Sequence, residues 1–176
     1  RLGAGETPYW LFGLIFLGLL AYFVLDLLKL KEHLYFQLKH ILLWLLVIGI
    51  IGSAFTSAIV VRHQTHPIYM IHDIVLQQES AIRFLLDGKN PYAVTYFGTP
   101  LEQWHYSDKD INPALYHFVM QPFYLIFSLP FYFLSNITVG YFDGRIPLLF
   151  LFLTLLILAG WLVKDREKKL LFIILL

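Results

Sequence analysis

The chain has no cysteine. That excludes disulfides, thiolate nucleophiles and cysteine-rich zinc sites, and it leaves the redox compartment open. Charge is scarce too. Asp, Glu, Lys and Arg make up 14% of the residues, against roughly 25% in an average soluble domain. The net charge is +1, so no strongly basic surface points to nucleic acid. What is present is apolar: 59% hydrophobic and 18% aromatic residues, gathered in long uncharged runs. Such runs point to a lipid bilayer, where one helical span needs about 20 residues.

Runs at 9–28, 41–61, 114–134 and 146–163 read as spans, and 170–176 as a further one cut short. The expected fold is all-α, a polytopic membrane helix bundle. The chain begins with Arg1 and ends inside an apolar run, so 1–176 reads as the N-terminal part of a multi-span domain. Gly49, Gly52, Ser53 and Ala54 either admit a closely packed helix or are ordinary small residues of a membrane helix. Pro122 and Pro130 interrupt 114–134, which is still read as one full crossing. Lys29, Lys31 and Lys39 assign the patch 28–41 to the cytoplasm, because cytoplasmic loops are enriched in cations. The long polar loop 62–113 then lies outside. On this reading the basic turn with Lys164, Arg166, Lys168 and Lys169 also lies outside, against the same rule.

The loop carries the chemistry-bearing residues. A helix is predicted over 71–87, with Ile71, Ile74, Val75, Gln78, Ala81, Ile82, Leu85 and Leu86 on one face. Asp73, Gln77, Ser80, Arg83 and Asp87 fall on the other, the pattern of an amphipathic helix lying in the membrane interface. Glu79 and Arg83 are spaced to pair, and Gly88 supplies a left-handed stop. Asp73 is either a first-turn capping acid or a general base, and His66 and His72 lie near enough in sequence to tune it. No zinc-like spacing occurs, so no metal and no cofactor is expected. Tyr92, Trp104, His105 and Tyr106 stand among polar groups. Their rings suit either a sugar or the lipid headgroup belt.

Asp73, then Glu79, then Leu85-Leu86-Asp87-Gly88-Lys89-Asn90-Pro91-Tyr92 and Asn112-Pro113, resembles the first outer loop of GT-C-type membrane glycosyltransferases. The likeness is nearest to mannosyltransferases that use polyprenyl-phosphate mannose. The resemblance implies a donor sugar, possibly mannose, on a polyprenyl phosphate and a glycan, lipid or protein acceptor. It also implies transfer at the outer membrane face, in a multi-pass protein of the cell membrane. Asp73 inherits the role of catalytic base, and Glu79 matches a position that is often acidic. Arg83, Lys89 and Arg145 are candidates to offset phosphate charge, and Arg83, Lys89, Tyr92, Trp104, His105 and Tyr106 form the expected substrate-binding set. The competing reading is a non-catalytic polytopic protein, a transporter or an assembly subunit. An intramembrane chain of charges would mark a transporter, and the spans contain almost none.

Overall fold

The computed structural model describes residues 9–69, 71–105, 107 and 110–175. Among these the fold is all-helical, with six α-helices and two single 3-10 turns. Three of the helices are long and apolar enough to cross a membrane: α1 (Tyr9–Leu27), α2 (Glu32–Gln64) and α5 (Arg145–Leu162). The others are α3 (Asp73–Leu86), α4 (Pro122–Thr138) and α6 (Arg166–Leu175). The chain divides into two compact units, Arg1–Ser57 with Leu151–Leu176, and Ala58–Phe150.

In the first unit, α1 and the first part of α2 meet where Gly18 leaves room for Leu46. A Cβ on Gly18 would stand 2.6 Å from the Leu46 Cδ2. The expected close approach at Gly49 and Gly52 is not used, since nothing lies within 4 Å of either. At the start of this unit Asp26 pairs with Lys39 at 2.5 Å and accepts a hydrogen bond from the Tyr35 hydroxyl. Lys39 is buried, and its ammonium also sits 4.3 Å from the centre of the Tyr22 ring. Helix α6 packs Leu170 and Ile173 against Leu43.

In the second unit, α3 is central. Its first ten residues, from Asp73 to Ile82, are buried on nearly every side, and only Ile74 among them is exposed. The predicted amphipathic helix is thus packed within the protein on both its apolar and most of its polar face. Its polar residues are accommodated because distant backbone supplies their partners. The Gln77 amide donates to the Ala114 carbonyl at 2.6 Å and to the His117 carbonyl at 2.7 Å. The Ser80 hydroxyl donates to the Leu76 carbonyl one turn back. The helix stops where predicted. Gly88 has φ 73°, its N–H reaches the Leu85 carbonyl, and the Lys89 N–H reaches the Phe84 carbonyl. That is the Schellman pattern, in which glycine avoids the steric penalty of the left-handed region.

The expected crossing at 114–134 is replaced by two pieces. A 3-10 turn occupies Pro113–Leu115, capped by the Asn112 side chain, and α4 begins only at Pro122. Proline has no N–H to donate and pushes the preceding residue to extended backbone, so a helix readily starts at Pro122, while Pro130 is carried inside α4. Gln121 is extended accordingly. The core of this unit gathers Leu76, Ala81, Ile82, Tyr96, Leu115 and Phe118 around α3. Tyr96 is fully buried and donates its hydroxyl to the Pro91 carbonyl, and burial pushes that phenol well above its usual range.

Candidate functional site

The site residues expected from the sequence fall in three places along α3. At its N-terminal end, Asp73 is buried, with 4% of its side chain exposed. One carboxylate oxygen accepts from the Ile74 N–H at 2.8 Å and lies against His72 Nδ1. The other accepts from the Asn112 side-chain amide at 3.0 Å. Asn112 is itself fixed, because its carbonyl oxygen caps the Pro113–Leu115 turn through the Ala114 N–H. His72 is the exposed partner, with 59% of its side chain open. The Ile74 N–H also points at His72 Nδ1, but at 3.4 Å, the weaker of its two contacts. His72 Nδ1 stands 2.5 Å from the Asp73 oxygen that the Ile74 N–H also meets. Trp104 closes this end, donating its indole N–H to the Ile71 carbonyl at 2.9 Å with its ring 5.6 Å from that of His72. His105 follows it and is exposed. Tyr106 lies outside the described residues.

Glu79 does not pair with Arg83. It forms a forked ion pair with Arg62, with both Nη–Oε distances at 2.7 Å, and it accepts from the Gly144 N–H at 3.0 Å. Arg62 also donates to Asp143 at 2.8 Å and, through Nε, to the Pro67 carbonyl. Arg145 then grips Asp143 through Nε and Nη2 and donates to the Ala58 carbonyl of α2. Two guanidinium groups and two carboxylates thus balance in charge, with Arg62, Glu79 and Asp143 all nearly inaccessible. Burial alone would raise the Asp143 carboxyl, but the side chain and backbone N–H of Arg145, followed by Arg62, pull it down to about 2.

This network forms one wall of a cavity of about 410 Å³. The cavity is also lined by His63, His66, Arg83, Tyr132 and Tyr141. The His63 ring stacks on Tyr141 with centroids 3.7 Å apart. Arg83 reaches the cavity from the exposed side of α3. Lys89 and Tyr92 lie beyond the other end of α3 with Leu85, Pro91, Pro122 and Ile126, along a mostly apolar cleft. There the Lys89 ammonium sits over the Phe84 ring, and the Tyr92 hydroxyl donates to the Met120 carbonyl.

Sequence reasoning missed Arg62, Asn112 and Asp143 as partners. Arg62 and Asp143 stand at the ends of apolar runs, where a charge must be solvated or paired, and that was the available signal. Among the described residues no group of three or more His, Asp or Glu is placed to hold a metal ion. No family model, curated protein or solved structure matches the chain.

Proposed function

We propose that the chain belongs to a multi-pass membrane glycosyltransferase that moves a sugar from a polyprenyl-phosphate donor to an acceptor hydroxyl. The observation that carries this reading is the Asn112–Asp73–His72 arrangement at the start of α3, beside Trp104. A hydroxyl is a poor nucleophile until its proton has somewhere to go, and a positioned base supplies typically 10²–10⁴-fold. Asp73 is held by the Asn112 amide and the Ile74 N–H, with the exposed His72 ring against it. The acceptor O–H gives its proton to this pair. Its oxygen then bonds to the anomeric carbon, and the bond from that carbon to the lipid phosphate oxygen breaks. The phosphate leaves as an anion and needs no proton, and one displacement inverts the anomeric centre. The half-buried Trp104 beside the exposed His72 suits the apolar C–H face of a sugar ring.

The motif from Leu85 to Tyr92 supports the resemblance on which donor and reaction rest. The transporter reading gains nothing from the buried charges, since Arg62, Glu79, Asp143 and Arg145 are closed on one another. The test is Asp73→Asn in the full-length protein, assayed with a polyprenyl-phosphate sugar and an acceptor. Asn caps a helix about as well as Asp but is no base near neutral pH. Transfer should fall by at least about a hundredfold while expression and thermal unfolding stay close to wild type. Near-normal turnover would return Asp73 to a capping role and remove the proposal's chemistry.

A further inference from the structure

The first unit contains a second polar site that the transfer reading does not use. The start of α2 and the start of α6 enclose a cleft of about 180 Å³. His33, Phe36, Gln37 and His40 line it from α2, and Arg166 and Lys169 from α6. No carboxylate lines it. The nearby acids are turned to other work or to solvent: Asp165 accepts from the Lys168 N–H, and Glu32 and Glu167 are exposed in the first turns of their helices. Neither Arg166 nor Lys169 makes an ion pair among the described residues. His40 Nε2 is buried there with no hydrogen-bond partner. A buried polar atom without a partner is costly, so a hydrogen-bonding group placed in the cleft would be favoured there.

An apolar crevice of about 400 Å³ lies in the same unit. Tyr22, Leu43, Val47, Leu156 and Ile173 are among its walls, and no charged side chain lines it. It begins one turn beyond the basic cleft on both helices, Ile173 following Lys169 by four residues and Leu43 following His40 by three. Cations at one level and an apolar slot at the next match an amphiphile with an anionic head. Arginine offers a forked set of donors suited to phosphate oxygens, and lysine adds a point charge.

We propose that this cleft binds the phosphate of an anionic membrane phospholipid, with an acyl chain in the adjoining crevice. His40 Nε2 meets a headgroup hydroxyl or, once protonated, a phosphate oxygen. The site stands independently of sugar transfer, and Asp73 has no part in it. The crevice is the reason to favour a lipid over a free phosphate ion.

The full-length protein in neutral detergent is titrated with short-chain phosphatidylglycerol, short-chain phosphatidylcholine and inorganic phosphate, and thermal unfolding is followed. Phosphatidylglycerol should raise the midpoint saturably, and the other two should do so weakly. R166Q/K169Q should weaken phosphatidylglycerol by about tenfold or more, since each cation near a lipid surface contributes roughly a factor of five. Its midpoint without lipid should stay unchanged, because Arg166 is exposed and Lys169 half-buried. K29Q/K31Q, which removes cations from the same polar end but not from the cleft, should bind as wild type. An equal response to inorganic phosphate would overturn the lipid assignment. An undiminished phosphatidylglycerol response in R166Q/K169Q, or an equal loss in K29Q/K31Q, would overturn the site.

Discussion

Three buried carboxylates line α3 and its neighbours, and their partners separate their roles. Glu79 and Asp143 face guanidinium groups, which occupy their carboxylate oxygens. Asp73 faces an amide, a backbone N–H and a histidine that is itself open to solvent. No guanidinium occupies Asp73, which is why the proposed base is placed there and not at Glu79 or Asp143. The same contrast gives Asp143 a pH signature. Its carboxyl lies at about 2 in the folded protein against an ordinary 3.8. A depressed folded value means the unfolded chain takes up the proton first as pH falls. The stabilisation from Asp143 is therefore complete above about pH 4 and is lost as pH falls through about 2. Asp143→Asn should unfold more easily than wild type at pH 6, and the gap should close on acidification from pH 4 toward 2. Thermal unfolding across that range checks it, and a gap that stays constant would show that Asp143 contributes nothing through its charge.

Helix α3 shows what a periodic pattern can and cannot carry. Its stop at Gly88 follows from local chemistry and was legible in the sequence, whereas it begins two residues later than the expected Ile71, at Asp73 after His72. Its environment was not. The alternation of apolar and polar residues suggests one wet face, yet Asp73, Gln77 and Ser80 are buried. Their partners lie far along the chain, with Asn112 39 residues from Asp73 and the acceptors of Gln77 37 and 40 residues away. Helical spacing says nothing about such pairings. For the same reason spacing matches Glu79 with Arg83, four residues on, when the structure pairs it with Arg62, 17 residues back. The long loop's aromatics were legible as a group but not their division, with Trp104 at one end of α3 and Tyr92 at the other. The stop itself gives a clean test. Gly88 has φ 73°, and a Cβ added there would meet nothing within 4 Å, so Gly88→Ala meets strain without any clash. It should cost about 1–2 kcal/mol, the penalty of an L-residue in the left-handed region. Gly88→Asn should cost less, because asparagine tolerates that region better. Equilibrium unfolding of both variants checks this, and equal stabilities for wild type and Gly88→Ala would show that the cap is not held as described.

At the scale of the whole chain, membrane sidedness follows from which helices are long enough to cross. Among the described residues these are α1, α2 and α5. In the second unit Arg145, at the start of α5, reaches Ala58 of α2, and in the first unit Gly160 of α5 faces Trp44 of α2. If α2 and α5 both cross and the 17-residue α4 does not, the stretch between Gln64 and Arg145 stays on one side. That removes the conflict left by reading 114–134 as a full span. The basic turn holding Lys164, Arg166, Lys168 and Lys169 then shares a side with Lys29, Lys31 and Lys39, as the enrichment of cations on the cytoplasmic side requires. The shared cleft between His40 and Lys169 is the structural counterpart of that charge pattern. On that reading Asp73 and the loop around it are expected to face away from the cytoplasm. The absence of native cysteine makes the test simple, since a single introduced thiol is the only one in this stretch. Thr95→Cys and Lys164→Cys both lie at exposed positions. An impermeant thiol reagent should label the cysteine at position 95 in intact cells, and the one at position 164 only after the membrane is opened. Labelling of both without permeabilisation would restore α4 as a crossing helix, and the reverse pattern would turn the whole chain over in the membrane.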